Sequence, residues 1–248
     1  MPHPPALIVA HPGHELLLHH WLERARPIVC ALTDGSGGHA QDRSARSRRI
    51  IERAGAQVGP VFAAATDREW YRAILAGDRR LFDLAAAQIA DMCRAESVTQ
   101  VVADSLEFFN PMHDLCSGLA QAVSMRLQGP RDIELLTYPI ERPELLSGAP
   151  DYACTLDDAA LRRKLDAAAE YHELTAEVER RRLEATEDHA VERLFSVDIH
   201  RGWPALPPEE PFYEKFGRQM IARGTYADLI TYADHVRPLA LRLTGLGS

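Results

Sequence analysis

Short apolar runs alternate with segments of helical periodicity over the first part of this chain. The first run, Ala6 to Ala10, is continuous, as in a strand that is buried on both faces of a parallel sheet. Four more strands are predicted at Pro27 to Leu32, Val58 to Ala63, Val98 to Ala103 and Ile133 to Tyr138. The alternation predicts an α/β fold with a Rossmann-like, doubly wound parallel sheet flanked by helices.

The segments between the strands, and the chain after them, carry helical patterns. Helices are predicted at Glu15 to Arg24, Gln41 to Ala54, Leu81 to Arg94 and Leu115 to Leu127. After Pro150 the patterns at Leu156 to Thr186 and Gly217 to Leu243 are also helical. We therefore expect an α/β core over 1–150 and a helical C-terminal extension over 151–248, packed together as one compact unit.

Charge and composition limit the classes of molecule that this chain is expected to bind. A formal net charge of -8 disfavours nucleic acid, because phosphate contacts need clustered basic residues. The sequence has no apolar run long enough to cross a bilayer and no secretory pattern, so we expect a cytoplasmic protein that does not bind membranes. Its four cysteines form no CxxC pair and are expected to be buried apolar residues. A small-molecule substrate fits this composition. The oligomeric state is not determined by the sequence, and a homo-oligomer is one of the possible states.

Histidines follow two of the predicted strands. His11 and His14 are three residues apart across the turn after the first strand, and His113 ends the loop after the fourth. Because the carboxyl ends of parallel strands line one crevice, we expect these loops to meet. Three protein ligands plus water is the usual catalytic zinc arrangement, so the sequence indicates a Zn²⁺ site. Iron, nickel or cobalt would suit the same ligands, and histidines with no metal role are the alternative.

The motifs at these positions resemble those of the PIG-L/LmbE-like zinc-dependent N-deacetylases. The chain reads Ala-His-Pro-Gly-His-Glu over 10–15, Thr-Asp-Gly over 33–35 and Asn-Pro-Met-His-Asp over 110–114. The resemblance implies that His11 is the first metal ligand, that His14 replaces an aspartate ligand, and that His113 is the last ligand. It also implies the deacetylase fold for the part of the chain that holds the five predicted strands.

The chain departs from the family at the general base. Gly13 stands where the family has its catalytic aspartate, and a glycine cannot accept a proton. The family's late motif often has a further histidine where this chain has Asn110, which can donate a hydrogen bond but cannot titrate. The carboxylates proposed as catalytic substitutes, or as groups that orient a ligand, are Asp104, Glu107 and Asp114. Favourable contact with a helix N-terminus is the alternative role for Asp114 and for Glu15.

Three polar residues near the same crevice are candidate substrate contacts: Asp34, Arg43 and Asn110. Asp34 also suits a turn, and Arg43 belongs to an arginine-rich helix whose charges can simply face solvent. His39 is either a further substrate contact or an exposed residue, and Tyr213 and Glu214 are either substrate contacts or capping and packing residues.

The function predicted from these features is metal-dependent hydrolysis of an N-acyl or related C–N bond in a small polar molecule, with a sugar-derived metabolite as one candidate. Two alternatives remain at this point. One is a repurposed metalloenzyme that catalyses a different biosynthetic reaction, and the other is a non-catalytic module that binds a metal or a sugar.

Overall fold

A seven-stranded mixed sheet forms the centre of the molecule. The computed structural model describes residues 3–37, 42–129, 132–171 and 190–246. The strands within these ranges are β1 (Ala6–Val9), β2 (Ile28–Thr33), β3 (Gln57–Ala65), β4 (Gln100–Asp104), β5 (Glu134–Tyr138), β6 (Tyr152–Thr155) and β7 (Val191–Ser196). Their order across the sheet is β3-β2-β1-β4-β5-β7-β6. The five predicted strands are all present and parallel, which confirms the α/β prediction.

Helices cover both faces of this sheet. Their bounds are α1 (His19–Ala25), α2 (Ser44–Arg53), α3 (Asp67–Leu75), α4 (Arg80–Ala95), α5 (Pro111–Leu127), α6 (Asp158–Ala169), α7 (Phe212–Ala222) and α8 (Arg237–Thr244). A 3-10 turn at His14–Leu18 precedes α1, and a π-helical turn at Tyr232–Val236 precedes α8. No helix in the described ranges is long and apolar enough to cross a membrane.

The continuous apolar run of β1 supplies two separate cores. Ala6 and Ile8 face a layer built largely from α4 and α5, whereas Leu7 and Val9 face a layer that includes α1. Successive side chains of a strand point to opposite faces, so an unbroken apolar strand needs a cover on both sides. Cys30, Cys93 and Cys116 are buried in this interior and Cys154 is partly exposed; all four are free thiols, as expected.

Two strands that the sequence analysis did not predict lie beyond residue 150. β7 pairs antiparallel with β5, and β6 pairs antiparallel with β7, so the later part of the chain extends the sheet as well as adding helices. Both strands are short and alternate between more and less buried residues. β6 forms the edge of the sheet, and β7 lies between β5 and β6. The division at residue 150 stays a prediction.

The C-terminal helices are shorter than their sequence patterns. The pattern over Leu156 to Thr186 gives α6, which ends at Ala169, and residues 172–189 lie outside the described part of the chain. The predicted helix over Gly217 to Leu243 is instead α7, an irregular stretch, the π-helical turn and α8. Gly224 follows the end of α7 with a positive φ of 72°.

The strand order fixes where a crevice must form. From β1 the chain proceeds to β2 and β3 on one side, then crosses to β4 and β5 on the other. In doubly wound sheets, ligands bind outside the carboxyl ends of the strands where the order reverses. Here those are the ends of β1 and β4. The turn after β1 holds His11 and His14, and the loop after β4 leads into α5, which holds His113.

Candidate functional site

A tight turn after β1 positions the first two histidines. Pro12 and Gly13 reverse the chain, and the His14 N–H donates to the His11 carbonyl over 3.3 Å. Gly13 has a φ of 113° and a ψ of -24°, and its N–H donates to the Glu15 carboxylate over 2.7 Å. This backbone conformation is one that side chains of L-residues rarely adopt, so a glycine is required at this point.

Glu15 is a buried support for that turn. Besides the Gly13 N–H, its carboxylate accepts hydrogen bonds from the hydroxyls of Ser47 and Tyr171, each at 2.7 Å. The side chain has no exposed surface. Glu15 therefore ties the histidine turn to α2 and to the end of the α6 segment, a larger role than contact with a helix N-terminus.

A substitution at Gly13 tests this backbone requirement. We expect Gly13→Asp and Gly13→Ala each to lower the free energy of unfolding by about 1–3 kcal/mol, the usual cost of a non-glycine residue in such a conformation. Asp at this position is not expected to create a general base, because the loop must distort to accept it. Urea denaturation and an N-deacetylation assay measure the two effects.

The control for Gly13 is Gly202→Ala, since Gly202 does not have a positive φ and a Cβ there meets open space. That variant should keep wild-type stability. A stable Gly13→Asp protein with strongly raised hydrolysis would show instead that only the carboxylate is missing.

His113 comes from the first turn of α5 rather than from the end of a loop. The helix was predicted to begin at Leu115 but begins at Pro111, because the Asn110 side chain caps it by accepting the Met112 N–H at 2.8 Å. Proline is well suited to the first helical position, so the Asn-Pro pair was a start signal that the sequence analysis did not use. The capped helix fixes the direction in which His113 points.

The three imidazoles meet as expected. The ring centre of His11 lies 5.3 Å from those of both His14 and His113, and the last two are 4.6 Å apart. Three imidazoles on one tetrahedral zinc, with zinc to nitrogen distances near 2.05 Å, would have ring centres roughly 5 Å apart. The spacing of the rings therefore fits a single ion. In this conformation, however, no group of three or more His, Cys, Asp or Glu side chains among the described residues is arranged to hold a metal ion.

Buried groups orient two of the rings through Nδ1. The Nδ1 of His14 lies 2.8 Å from Asp104 Oδ2. The Nδ1 of His11 lies 2.8 Å from the Thr33 hydroxyl and 3.1 Å from Asp67 Oδ1. A neutral imidazole that donates through Nδ1 carries its lone pair on Nε2, and a carboxylate in this position is the usual support of a metal-binding histidine.

Asp104 lies behind the site and does not line it. It is fully buried and accepts hydrogen bonds from the Ala10 N–H at 2.9 Å and the Tyr138 hydroxyl at 2.8 Å, in addition to His14. Burial raises the pKa of this carboxyl above its usual range. It faces the Nδ1 of His14, and its contacts hold the ends of β1, β4 and β5 together.

The other two proposed catalytic carboxylates serve the loop between β4 and α5. Glu107 accepts the Ser105 hydroxyl and the N–H groups of Ile140 and Glu141, and Asp114 accepts the N–H groups of Glu107 and Phe108. Burial raises the pKa of both, to about 8 for Asp114. Neither side chain lines the cavity around the histidines. The structure thus gives Glu107 and Asp114 contacts that shape the loop.

Some of the predicted substrate contacts line the cavity and others do not. Arg43 and Asn110 line the cavity, whereas Asp34 lies behind it and accepts the N–H groups of Ser36 and Asp67. Arg43 donates to the Gly35 carbonyl over 2.7 Å. Of the undecided residues, Tyr213 lines the cavity, Glu214 accepts the Tyr232 N–H, and His39 lies outside the described residues.

Asp67 is the site residue that sequence reasoning missed. It is the first residue of α3, lines the cavity, and accepts the Gly37 N–H as well as facing His11. Burial acts to raise the pKa of this carboxyl, but the contact with His11 and the Gly37 N–H outweigh it and lower the pKa to about 2. The signal was present: Thr66 and Glu69 form a capping box directly after β3, which puts Asp67 at the same sheet edge as the histidines.

A cavity of about 830 Å³ opens over the three imidazoles. Polar groups surround its floor, and the outer wall is apolar and rich in aromatic side chains from α7 and the segment after it. Ligand sites are typically concave and largely apolar with a few convergent polar groups, and this cavity has that character.

Comparison with known proteins supports the fold. No protein-family model and no curated protein matches the sequence. Among solved structures, the conserved protein TT1542 from Thermus thermophilus is similar at 17% identity and a TM-score of 0.52, over 84% of this chain and 100% of that one. A triple mutant of a deacetylase of the teicoplanin biosynthetic pathway is similar at 11% identity and a TM-score of 0.50, over 78% and 99%. The A40926 pseudoaglycone deacetylase Dbv21 follows at 16% identity and a TM-score of 0.49, over 82% and 100%. The α/β fold of this chain is therefore similar to the folds of TT1542 and of the teicoplanin-pathway deacetylase mutant.

Proposed function

We propose that this chain is a metal-dependent hydrolase of the PIG-L/LmbE type that cleaves an N-acyl or related C–N bond of a small molecule. One observation carries the proposal. Three imidazoles converge at the reversal point of the sheet, and buried carboxylates face two of them through Nδ1. The deacetylase fold agrees with it.

The residues that would hold the ion are His11, His14 and His113, with zinc the best candidate for an all-imidazole set. The spacing of their ring centres is compatible with one ion. A bound divalent ion would supply Lewis-acid polarisation of the acyl carbonyl. We propose that Asp67 and Asp104 fix the two ring orientations, a supporting role that is common for metal-binding histidines.

Proton transfer must differ from that of the family. Gly13 provides no carboxylate, and a general base works best when its pKa is near the working pH. Asp67, with a pKa of about 2, is held as a carboxylate and is a weak base. The lack of a strong general base favours a second candidate function: a repurposed enzyme of the same fold whose reaction needs no strong base.

The test is turnover of N-acyl compounds by zinc-loaded protein. Release of free amine from N-acetylglucosamine and a panel of larger N-acyl amines is expected, together with its loss on chelation and its return on addition of zinc. Turnover that survives chelation would contradict the metal dependence. Tight binding of these compounds with no turnover of any of them would favour a binding module over an enzyme.

A further inference from the structure

Four aromatic side chains form a row along the outer wall of the cavity. The rings of Phe109 and Phe212 stack with centres 4.4 Å apart, Phe216 follows 6.0 Å from Phe212, and Tyr226 lies 6.4 Å from Phe216. All four line the same cavity as the three imidazoles. We call Phe109, Phe212, Phe216 and Tyr226 the aromatic row.

The row starts beside the imidazoles and is anchored there. Phe109 immediately precedes Asn110, the cap of the helix that carries His113. The Phe212 N–H donates to the Phe108 carbonyl over 2.8 Å, which fastens the start of α7 to that loop. Phe212 and Phe216 are four residues apart on α7, so both rings lie on one face of it. The row therefore leads outward from the polar floor at a fixed position.

Packing within the protein leaves much of the aromatic row exposed to solvent. Phe212, Phe216 and Tyr226 are 44%, 39% and 47% exposed. Single exposed apolar residues are ordinary, but a contiguous exposed aromatic surface marks a place where something binds. Its position inside a cavity over the candidate metal site indicates a bound small molecule.

The imidazole side of the cavity is deep and the aromatic row is near the surface. His11, His113 and Asp67 are buried, whereas Phe212, Phe216 and Tyr226 are exposed, and all six line the cavity. A volume of about 830 Å³ is near the upper end of the usual range for small-molecule sites. A small polar molecule alone would leave the aromatic wall in water.

We propose that the substrate is amphipathic, with an extended apolar group that packs along the aromatic row while its polar C–N group reaches the imidazoles. This inference rests on the proposed function for the polar end only. The apolar group can belong to the acyl side or to the amine side of the bond, since the rings would recognise either by the same contacts.

The first measurement is binding of N-phenyl-1-naphthylamine, a neutral fluorescent apolar probe, which requires no turnover. We expect saturable binding to wild type and a dissociation constant about tenfold higher in the Phe216→Ala/Tyr226→Ala double variant, since each lost ring removes apolar contact. Leu206→Ala is the matched control, because Leu206 is 79% exposed and lies outside the cavity. Unchanged zinc content in the double variant would verify that the floor is intact.

The second measurement separates the two sources of the apolar group. The kcat/KM of each test substrate is measured relative to that of N-acetylglucosamine. If the apolar group is on the acyl side, this ratio should fall about tenfold in the double variant for N-octanoylglucosamine. If it is on the amine side, the ratio should fall about tenfold for a phenyl glycoside of N-acetylglucosamine instead. Probe binding without hydrolysis would support the amphipathic site and refute the hydrolase. Hydrolysis with probe binding that the double variant leaves unaltered would overturn the inference. So would a wild-type dimer that the double variant converts to monomer, because the row would then be a contact between copies.

Discussion

Zinc-loaded protein is expected to retain close to one equivalent of zinc after desalting, and His11→Ala, His14→Ala and His113→Ala are each expected to lose it. Zinc binding to a folded protein site is worth about 10–16 kcal/mol over four ligands. The loss of one ligand should therefore weaken binding roughly 100- to 1000-fold. Elemental analysis after desalting and competition with a chelator of known affinity measure both quantities.

His200→Ala is the matched control, because His200 is exposed and lies outside the cavity. It should retain as much zinc as wild type. A wild-type protein that takes up no zinc from a buffered solution would refute the three-histidine site. Equal losses in His200→Ala and the site variants would indicate nonspecific binding.

Substitution of Asp104 should affect stability and zinc affinity separately. Asp104→Ala leaves the Ala10 N–H, the Tyr138 hydroxyl and the His14 ring without their acceptor, so we expect the free energy of unfolding to fall by about 3 kcal/mol. Zinc affinity should fall 10- to 100-fold, the usual effect of losing a group that supports a ligand. Urea denaturation and chelator competition on one preparation give both values.

Asp104→Asn refines this test. Its amide oxygen can still accept from Ala10 and His14, and its NH₂ group can donate to the Tyr138 hydroxyl, so stability should stay within about 1 kcal/mol of wild type. Zinc affinity should still fall about tenfold because the negative charge behind His14 is lost. Glu107→Ala is the control for burial, since Glu107 is equally buried but contacts no imidazole. Equal zinc affinity in Asp104→Ala and wild type would refute the orienting role.

The sequence predicted the five parallel strands, and the clearest of them, β1 and β2, are buried on both faces. All four residues of β1 and all six of β2 are buried, and only long apolar runs satisfy that environment. Once those strands were placed, the reversal of strand order brought His11, His14 and His113 to one point. The convergence of the three histidines follows from the backbone topology and could therefore be predicted from the sequence alone.

The rest depended on contacts between distant parts of the chain. β6 and β7 are short strands with weak sequence patterns, and their pairing is decided by the sheet they join. The functions of Glu107 and Asp114 follow from which N–H groups the folded loop turns toward them. The aromatic row joins Phe109 to residues more than 100 positions later, and in sequence those residues have no common pattern.

The Phe212 N–H bond to the Phe108 carbonyl also bears on how the molecule could change over evolutionary time. The three imidazoles and Asp67 come from the chain before residue 115, whereas three of the four rings of the aromatic row come from residues 212–226. Insertions or exchanges within 212–226 could therefore alter which molecules enter while the imidazoles and their carboxylates stay as they are. Related proteins with this arrangement can differ in the molecules they bind while the imidazole site stays the same. The segment 212–226 can be exchanged by design for the same purpose.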